Sequence, residues 1–299
     1  MVGPLRLVTF ADVARAATKI APHLSRTPLL TCRWLDELAG CELFLKCENL
    51  QETGSFKARG ALNAVLSLPE LRTVGITAHS LGNHAAAVAF AARTRNLPCT
   101  VVIPHTAPAS KIENTRSYGA TVLLCEPGTT NREAAARKVA EEKGYHIVPP
   151  YDDAHVIAGQ GTLALEMIEQ LAELQPDCLP LDAILVPISG GGMAAGVAIA
   201  TRALSPSTRV IAVEPMGKQL GTSLAAGKPL WPAGLLPLAT VADGCRTSAL
   251  GKVTWPICLE MLDQTGVLEN SCRISTKTHR KIELATLPAT ARENRSKNR

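Results

Sequence analysis

Three separated stretches of the chain hold residues able to do chemistry together. The first, ENLQETGSFKARGA at 48–61, sets Lys57 behind Gly54, Ser55 and Phe56 at a turn into a helix. A lysine amine can form an imine with a carbonyl and can carry a proton. The second, VPISGGGMAAG at 186–196, puts three glycines between a strand-like run and a helix-like one. Glycines at such a turn let backbone N–H groups wrap a phosphate, and the positive end of the following helix adds to the attraction. The third, AHSLGNHAAA at 78–87, turns Ser80, Asn83, His84 and the free amides of a helix N-terminus toward one anionic group. Leu81 sits in the middle of that polar turn.

Taken alone, the glycine turn fits two chemistries. Gly190, Gly192 and Ala195 match G-x-G-x-x-A, and Glu214 ends the next strand about 20 residues on, as a nicotinamide dinucleotide site requires. That makes the chain an oxidoreductase, but it leaves Lys57 and the Ser80–His84 loop without a role. One pyridoxal phosphate uses all three stretches. Lysine forms the imine, the glycine turn takes the phosphate, and the asparagine loop receives the ring edge or a substrate carboxylate.

The elements that position these residues alternate between strand and helix. ELFLKC (42–47), VGITAH (74–79), TVVIP (100–104), TVLLCE (121–126), AILVPI (183–188) and RVIAVE (209–214) read as strands, most of them apolar on both faces and so destined for helix-covered parallel sheets. Helical patterns follow from Asn83, over 108–118 and over 130–143, and YHIVPP closes a four-strand unit. The segments on either side of that unit look incomplete alone. The expected organisation is therefore a large domain of residues 1–70 plus 152–270, a small domain of 71–151 inserted in it, and a ligand site in the crevice between them.

Composition narrows the classes. Of 299 residues, 46% are hydrophobic and 19% charged, and no apolar run approaches the ~20 residues of a membrane span. No secretory leader is evident, so a cytosolic address with no membrane association is expected. Nine scattered cysteines form no CxxC pair and read as reduced core thiols rather than a disulfide framework or zinc site. The net charge of +5 comes from residues 272–299, which hold 8 of the 31 Lys+Arg and 2 of the 26 Asp+Glu, leaving the body at −1. A basic tail on a neutral body does not predict a nucleic-acid partner. Residues 271–299 show weak periodicity and no convincing strand, and are expected to be a disordered terminus.

The chain resembles the serine racemase and serine/threonine dehydratase family of fold-type II pyridoxal phosphate enzymes. ENLQETGSFKARGALNAV, GNH, TAPASKI, YGATVLLCEP, VIAGQGTLALE, VPISGGGMAAG, AVEP and VADG carry the resemblance, in family order, over residues 6 to 267. It implies an α/β, tryptophan synthase β-like fold and a homodimer. It also implies that Lys57 is the imine-forming lysine and the base on one face of the substrate α-carbon, that Phe56 lies against the pyridine ring, and that Asn83 reaches the ring hydroxyl. Ser189, Gly190, Gly191, Gly192 and Met193 would cradle the phosphate and Gly244 would line the other ring edge, while Ser80, Asn83 and His84 would take the substrate carboxylate. The expected reaction passes through an external aldimine of L-serine or a similar β-hydroxy amino acid, leading to pyruvate and ammonia or to the D-enantiomer.

Three departures qualify that expectation. The racemases carry a second serine where this chain has Leu81, and leucine cannot relay a proton, so elimination is expected over racemisation. The family's Mg²⁺ or Ca²⁺ site uses an acid at Glu214, a carbonyl near Lys218 and a second acid where this chain has Leu220, so the metal site is incomplete. The family's S-G-G-N segment, whose serine partners the pyridine nitrogen, has no counterpart in 268–299. A catalytically impaired paralogue or isoform that binds cofactor or partner subunits is the alternative that these departures raise.

Overall fold

The computed structural model describes residues 8–80, 82–232, 237–268 and 274–275. In chain order the elements begin with α1 (Phe10–Ile20), β1 (Leu29–Leu30), α2 (Arg33–Ala39), β2 (Leu45–Lys46), α3 (Lys57–Leu66), β3 (Ile76–His79) and α4 (Asn83–Thr94). They continue with β4 (Cys99–Pro104), α5 (Ala109–Ser117), β5 (Thr121–Cys125), α6 (Thr129–Lys143), β6 (His146–Ile147) and α7 (Ala154–Leu174). The remainder are β7 (Ala183–Pro187), α8 (Gly192–Leu204), β8 (Arg209–Pro215), α9 (Leu220–Ala226), α10 (Thr254–Met261), β9 (Gln264–Leu268) and β10 (Ile274–Ser275).

Two four-stranded sheets result, as expected of an α/β chain. One has the order β5-β4-β3-β6 and is parallel throughout. The other has the order β10-β9-β8-β7, parallel except for the antiparallel β9–β10 pair. β4 is buried at all six positions, which is why its sequence is apolar without alternation. β5 departs from that expectation: as an edge strand it leaves Leu123 43% and Leu124 49% exposed. The run at 42–47 keeps only Leu45 and Lys46 as strand, paired with β1, because its neighbours turn away toward the lysine loop. After Val267 a strand does form: Ile274 and Ser275 pair with Leu268 and Val267, giving β9 a partner on its open side. The rest of the tail lies outside the described residues, as does Leu81.

α7 is the helix that both cores share. It packs on α1 and α8 around one apolar cluster and on α3 beside the other. Its crossing with α8 is a backbone contact: a Cβ at Gly196 would stand 2.5 Å from the Gly161 nitrogen, so only glycine permits the approach. No helix among the described residues is long and apolar enough to cross a membrane.

A buried ionic network fixes the start of α3. Arg59, 2% exposed, donates from Nε and Nη2 to Glu48 at 2.8 and 2.7 Å, and from Nη1 to Glu166 at 2.9 Å. Lys46 Nζ completes it on Glu166 (2.5 Å), Gln170 (2.6 Å) and the Thr27 carbonyl (2.7 Å). Burial works against the Glu166 charge, but Arg59 and Lys46 outweigh it and hold the carboxyl below its ordinary range. Arg59→Met leaves two buried carboxylates facing one lysine, and a loss of about 3–5 kcal/mol is expected in urea melts at neutral pH. Because the folded-state value of Glu166 is depressed, its contribution is present above the unfolded carboxylate value and fades as pH falls through the folded one.

Candidate active site

Lys57 is the first residue of α3, two positions before the anchored Arg59. Its Nζ donates to the Pro150 carbonyl at 2.5 Å and lies 5.3 Å from the Phe56 ring centroid. Burial lowers the ammonium to about 8, with Cys245 opposing slightly. Pro150 also connects the lysine to the glycine turn, because Tyr151 lies against it. A Cβ on Gly190 would run into the Tyr151 ring, and one on Gly192 would stand 2.9 Å from the Tyr151 carbonyl. Gly191 adopts φ +95, a left-handed conformation that favours glycine, and caps α8 so that the first-turn amides of that helix have no intrahelical acceptor. Thr254 fixes the turn from below, its hydroxyl donating to the Gly190 carbonyl at 2.8 Å. Ser189 and Met193 flank the turn, each partly buried.

The Ser80–His84 loop closes the other side. Ser80 Oγ accepts from the Gly82 amide at 3.1 Å, and Asn83 stands exposed at the head of α4. α4 packs on the 52–54 turn, where Thr53 takes a left-handed φ of 67. Among the described residues the buried hydroxyls of Thr53 and Ser55 have no hydrogen-bond partner, so this wall offers donors to something other than protein. From α5, the Lys111 stem passes over Gly82 and its ammonium pairs with Asp243, beside Gly244. Gly244 itself borders open space. The structure thus brings together Phe56, Lys57, the Ser80–His84 loop and Ser189–Met193, with Gly244 on a segment tied to the loop.

Two expected residues behave differently from their sequence reading. The His84 ring is 3% exposed, with Nε2 at 2.9 Å from the Val148 carbonyl. Burial, then the Lys57 charge, pushes its pKa down to about 3. A neutral ring that donates to Val148 has only a lone pair left on Nδ1, so it has no donor for a carboxylate. Its backbone N–H at the first turn of α4 is the donor that this position can offer. Glu214, 3% exposed, accepts from the Leu220 amide at 2.8 Å and the Gly221 amide at 3.0 Å. A carboxylate spent on capping α9 is not placed to receive ribose hydroxyls, which removes the acidic element of a nicotinamide site.

The residues present fit pyridoxal phosphate: a lysine with a lowered pKa, a glycine turn with free amides, and orphaned hydroxyls between them. They fit a divalent cation poorly: Leu220 is fully buried where a second acid would stand, and both Glu214 oxygens already accept from backbone amides. Sequence reading passes over the network of Glu48, Arg59 and the distant Glu166, which anchors the start of the Lys57 helix, and over Tyr151, which packs the glycine turn.

Comparison with known proteins agrees with this chemistry. Residues 20–275 match the family described as pyridoxal-phosphate dependent enzyme. The chain is 44% identical to serine racemase of Arabidopsis thaliana over 266 residues, 88% of this chain and 76% of that protein. It is also 44% identical to L-threo-3-hydroxyaspartate ammonia-lyase of a Pseudomonas species, over 86% of this chain and 78% of that protein. The structure of maize serine racemase superposes with a TM-score of 0.83 at 39% identity, covering 89% of this chain and 78% of the other. The chain therefore belongs to the pyridoxal-phosphate dependent enzyme family, among its racemases and ammonia-lyases of β-hydroxy amino acids.

Proposed function

We propose that this chain is a pyridoxal phosphate-dependent ammonia-lyase acting on L-serine or a similar small β-hydroxy amino acid. The β-hydroxyl leaves as water, and a water molecule then hydrolyses the resulting enamine, through its imine tautomer, to ammonia and the 2-oxo acid, with inversion to the D-enantiomer a minor course. The observation that carries the reading is the meeting of Lys57 with Pro150 beside the Tyr151-packed glycine turn. Similarity to both serine racemases and hydroxyaspartate ammonia-lyases supports the substrate class.

When bound, pyridoxal phosphate supplies an electron sink at the substrate α-carbon. The backbone N–H groups of Ser189, Gly190, Gly191, Gly192 and Met193 would hold its phosphate, and Phe56, Asn83 and Gly244 would border its ring. Lys57 anchors the group, and its amine, unprotonated above about 8, then accepts the α-proton on its own face. Ser80, Asn83 and the His84 backbone amide hold the substrate carboxylate, with the Thr53 and Ser55 hydroxyls adjoining. Residues 1–70 plus 152–270, with β10 (Ile274–Ser275) added to their sheet, form the large domain and 71–151 the small one, and the site lies in the crevice between their sheets. A cytosolic homodimer completes the proposal.

Leu81 favours a second reading, a protein that binds cofactor with little turnover, because it puts a branched apolar side chain into a polar turn. Incubation with L-serine and with L-threo-3-hydroxyaspartate separates the readings. The lyase releases oxo acid and ammonia in equal amounts from at least one of them, with little D-product. Cofactor uptake without either product supports the second reading, and D-serine as the main product overturns the elimination bias.

A further inference from the structure

We propose that the ammonium of Lys218 serves as a built-in cation at the corner between β8 and α9, in place of a divalent metal ion. Glu214 at the end of β8 is a buried carboxylate, and its two oxygens accept from the first two amides of α9. The acid that would complete a metal site is replaced by Leu220, which has no exposed surface. Lys218 lies between them in sequence and is equally enclosed, yet it carries a charge. Its Nζ donates to the Thr247 carbonyl at 2.5 Å.

The turn that presents Lys218 is conformationally expensive. Gly217 takes φ +93 and Gln219, a residue with a side chain, takes φ +64. Strain of this kind persists where the surroundings over-determine it. Here the Glu214 cap holds one end of the turn and the Lys218–Thr247 bond holds its middle. Thr247 also lies three residues past Gly244, so the ammonium ties the β8–α9 corner to the segment proposed to edge the cofactor. A divalent ion added to this corner would meet one carboxylate already engaged and one resident ammonium, with no second acid to offset its charge. A tethered ammonium instead sets a positive charge that favours the buried Glu214 carboxylate, and it does not depend on metal supply.

Thermal melting of the protein saturated with pyridoxal phosphate tests this without any turnover, so its outcome is independent of the proposed reaction. The wild type is expected to melt at one temperature in EDTA and in about 5 mM Mg²⁺ or Ca²⁺, a range in which weak extracellular-type sites fill. Lys218→Met strands the Thr247 carbonyl and removes the positive charge that favours the Glu214 carboxylate, and is expected to melt roughly 6 °C lower or more. Lys218→Ala with Leu220→Asp exchanges the ammonium for an acid, and this double variant is expected to gain roughly 3 °C or more in Mg²⁺ or Ca²⁺ over EDTA. A wild type stabilised by either cation and lowered by EDTA overturns the proposal, as does a Lys218→Met protein that melts with the wild type. If Lys218→Met does not fold, the wild-type comparison and the double variant decide, and a double variant indifferent to both cations counts against the exchange of one cation for another.

Discussion

Lys57→Ala is expected to abolish the absorbance band at about 400 nm that added pyridoxal phosphate gives the wild type, and to lower oxo-acid release by about 10⁴-fold or more. The size follows from two roles resting on one amine, anchoring the cofactor and carrying the α-proton. No neighbouring amine stands ready to replace it: Lys111 is engaged with Asp243 and Lys218 with Thr247. The fold should survive, because α3 is held by Arg59 rather than by the lysine. A variant that keeps the band, or keeps more than about a tenth of the rate, overturns the assignment. The same amine sets a pH dependence. Burial lowers it from 10.5 to about 8, so capture of pyridoxal phosphate by the cofactor-free protein should speed up as pH rises through about 8, where the ammonium gives way to the nucleophile. Between those two values the unfolded lysine binds more protons than the folded one, so its titration makes stability rise with pH across that window.

Leu81→Ser is expected to raise D-serine formation from L-serine by about 10²-fold or more, with elimination changed far less. Inversion needs one group to take the α-proton and another to return a proton from the opposite face. In the proposed reaction Lys57 supplies the first. An isobutyl group supplies nothing for the second, whereas a hydroxyl in the same polar turn can relay a proton. Chiral separation of products from wild type and variant gives the answer directly. Comparable D-serine from both proteins would mean that another donor serves that face, and the elimination bias would fall with it.

The three candidate stretches stand out in the sequence because each combines a local signal with a chemical one. Three glycines between a buried strand and a helix demand a tight turn, and Gly191 makes it at φ +95. β3, β4, β7 and β8 were legible because strands buried in parallel sheets are long apolar runs, and their ends lie within two residues of the expected ones. β1 and β10 are two-residue strands whose existence depends on what lies opposite, so nothing local announces them. His84 shows a subtler gap. Sequence counts a ring's donors but not their direction, and the Val148 carbonyl claims the one that a neutral ring has. Glu214 likewise reads as a ligand until the two amides of α9 are seen to occupy it. The Arg59 network was invisible for another reason: its acids lie 11 and 107 residues away, and no periodicity links them.

That network also governs how the chain can vary. Lys46, Glu48, Arg59 and Glu166 balance one another's charge in a largely buried space, so a change at one position leaves a defect that only a change at the others can repair. Viable sequences should therefore keep all four or exchange all four for apolar residues of matching volume, with intermediates disfavoured. Because Lys57 lies one half-turn away from Arg59, the region around the reactive amine is insulated from gradual drift: its scaffold changes in one large step or not at all.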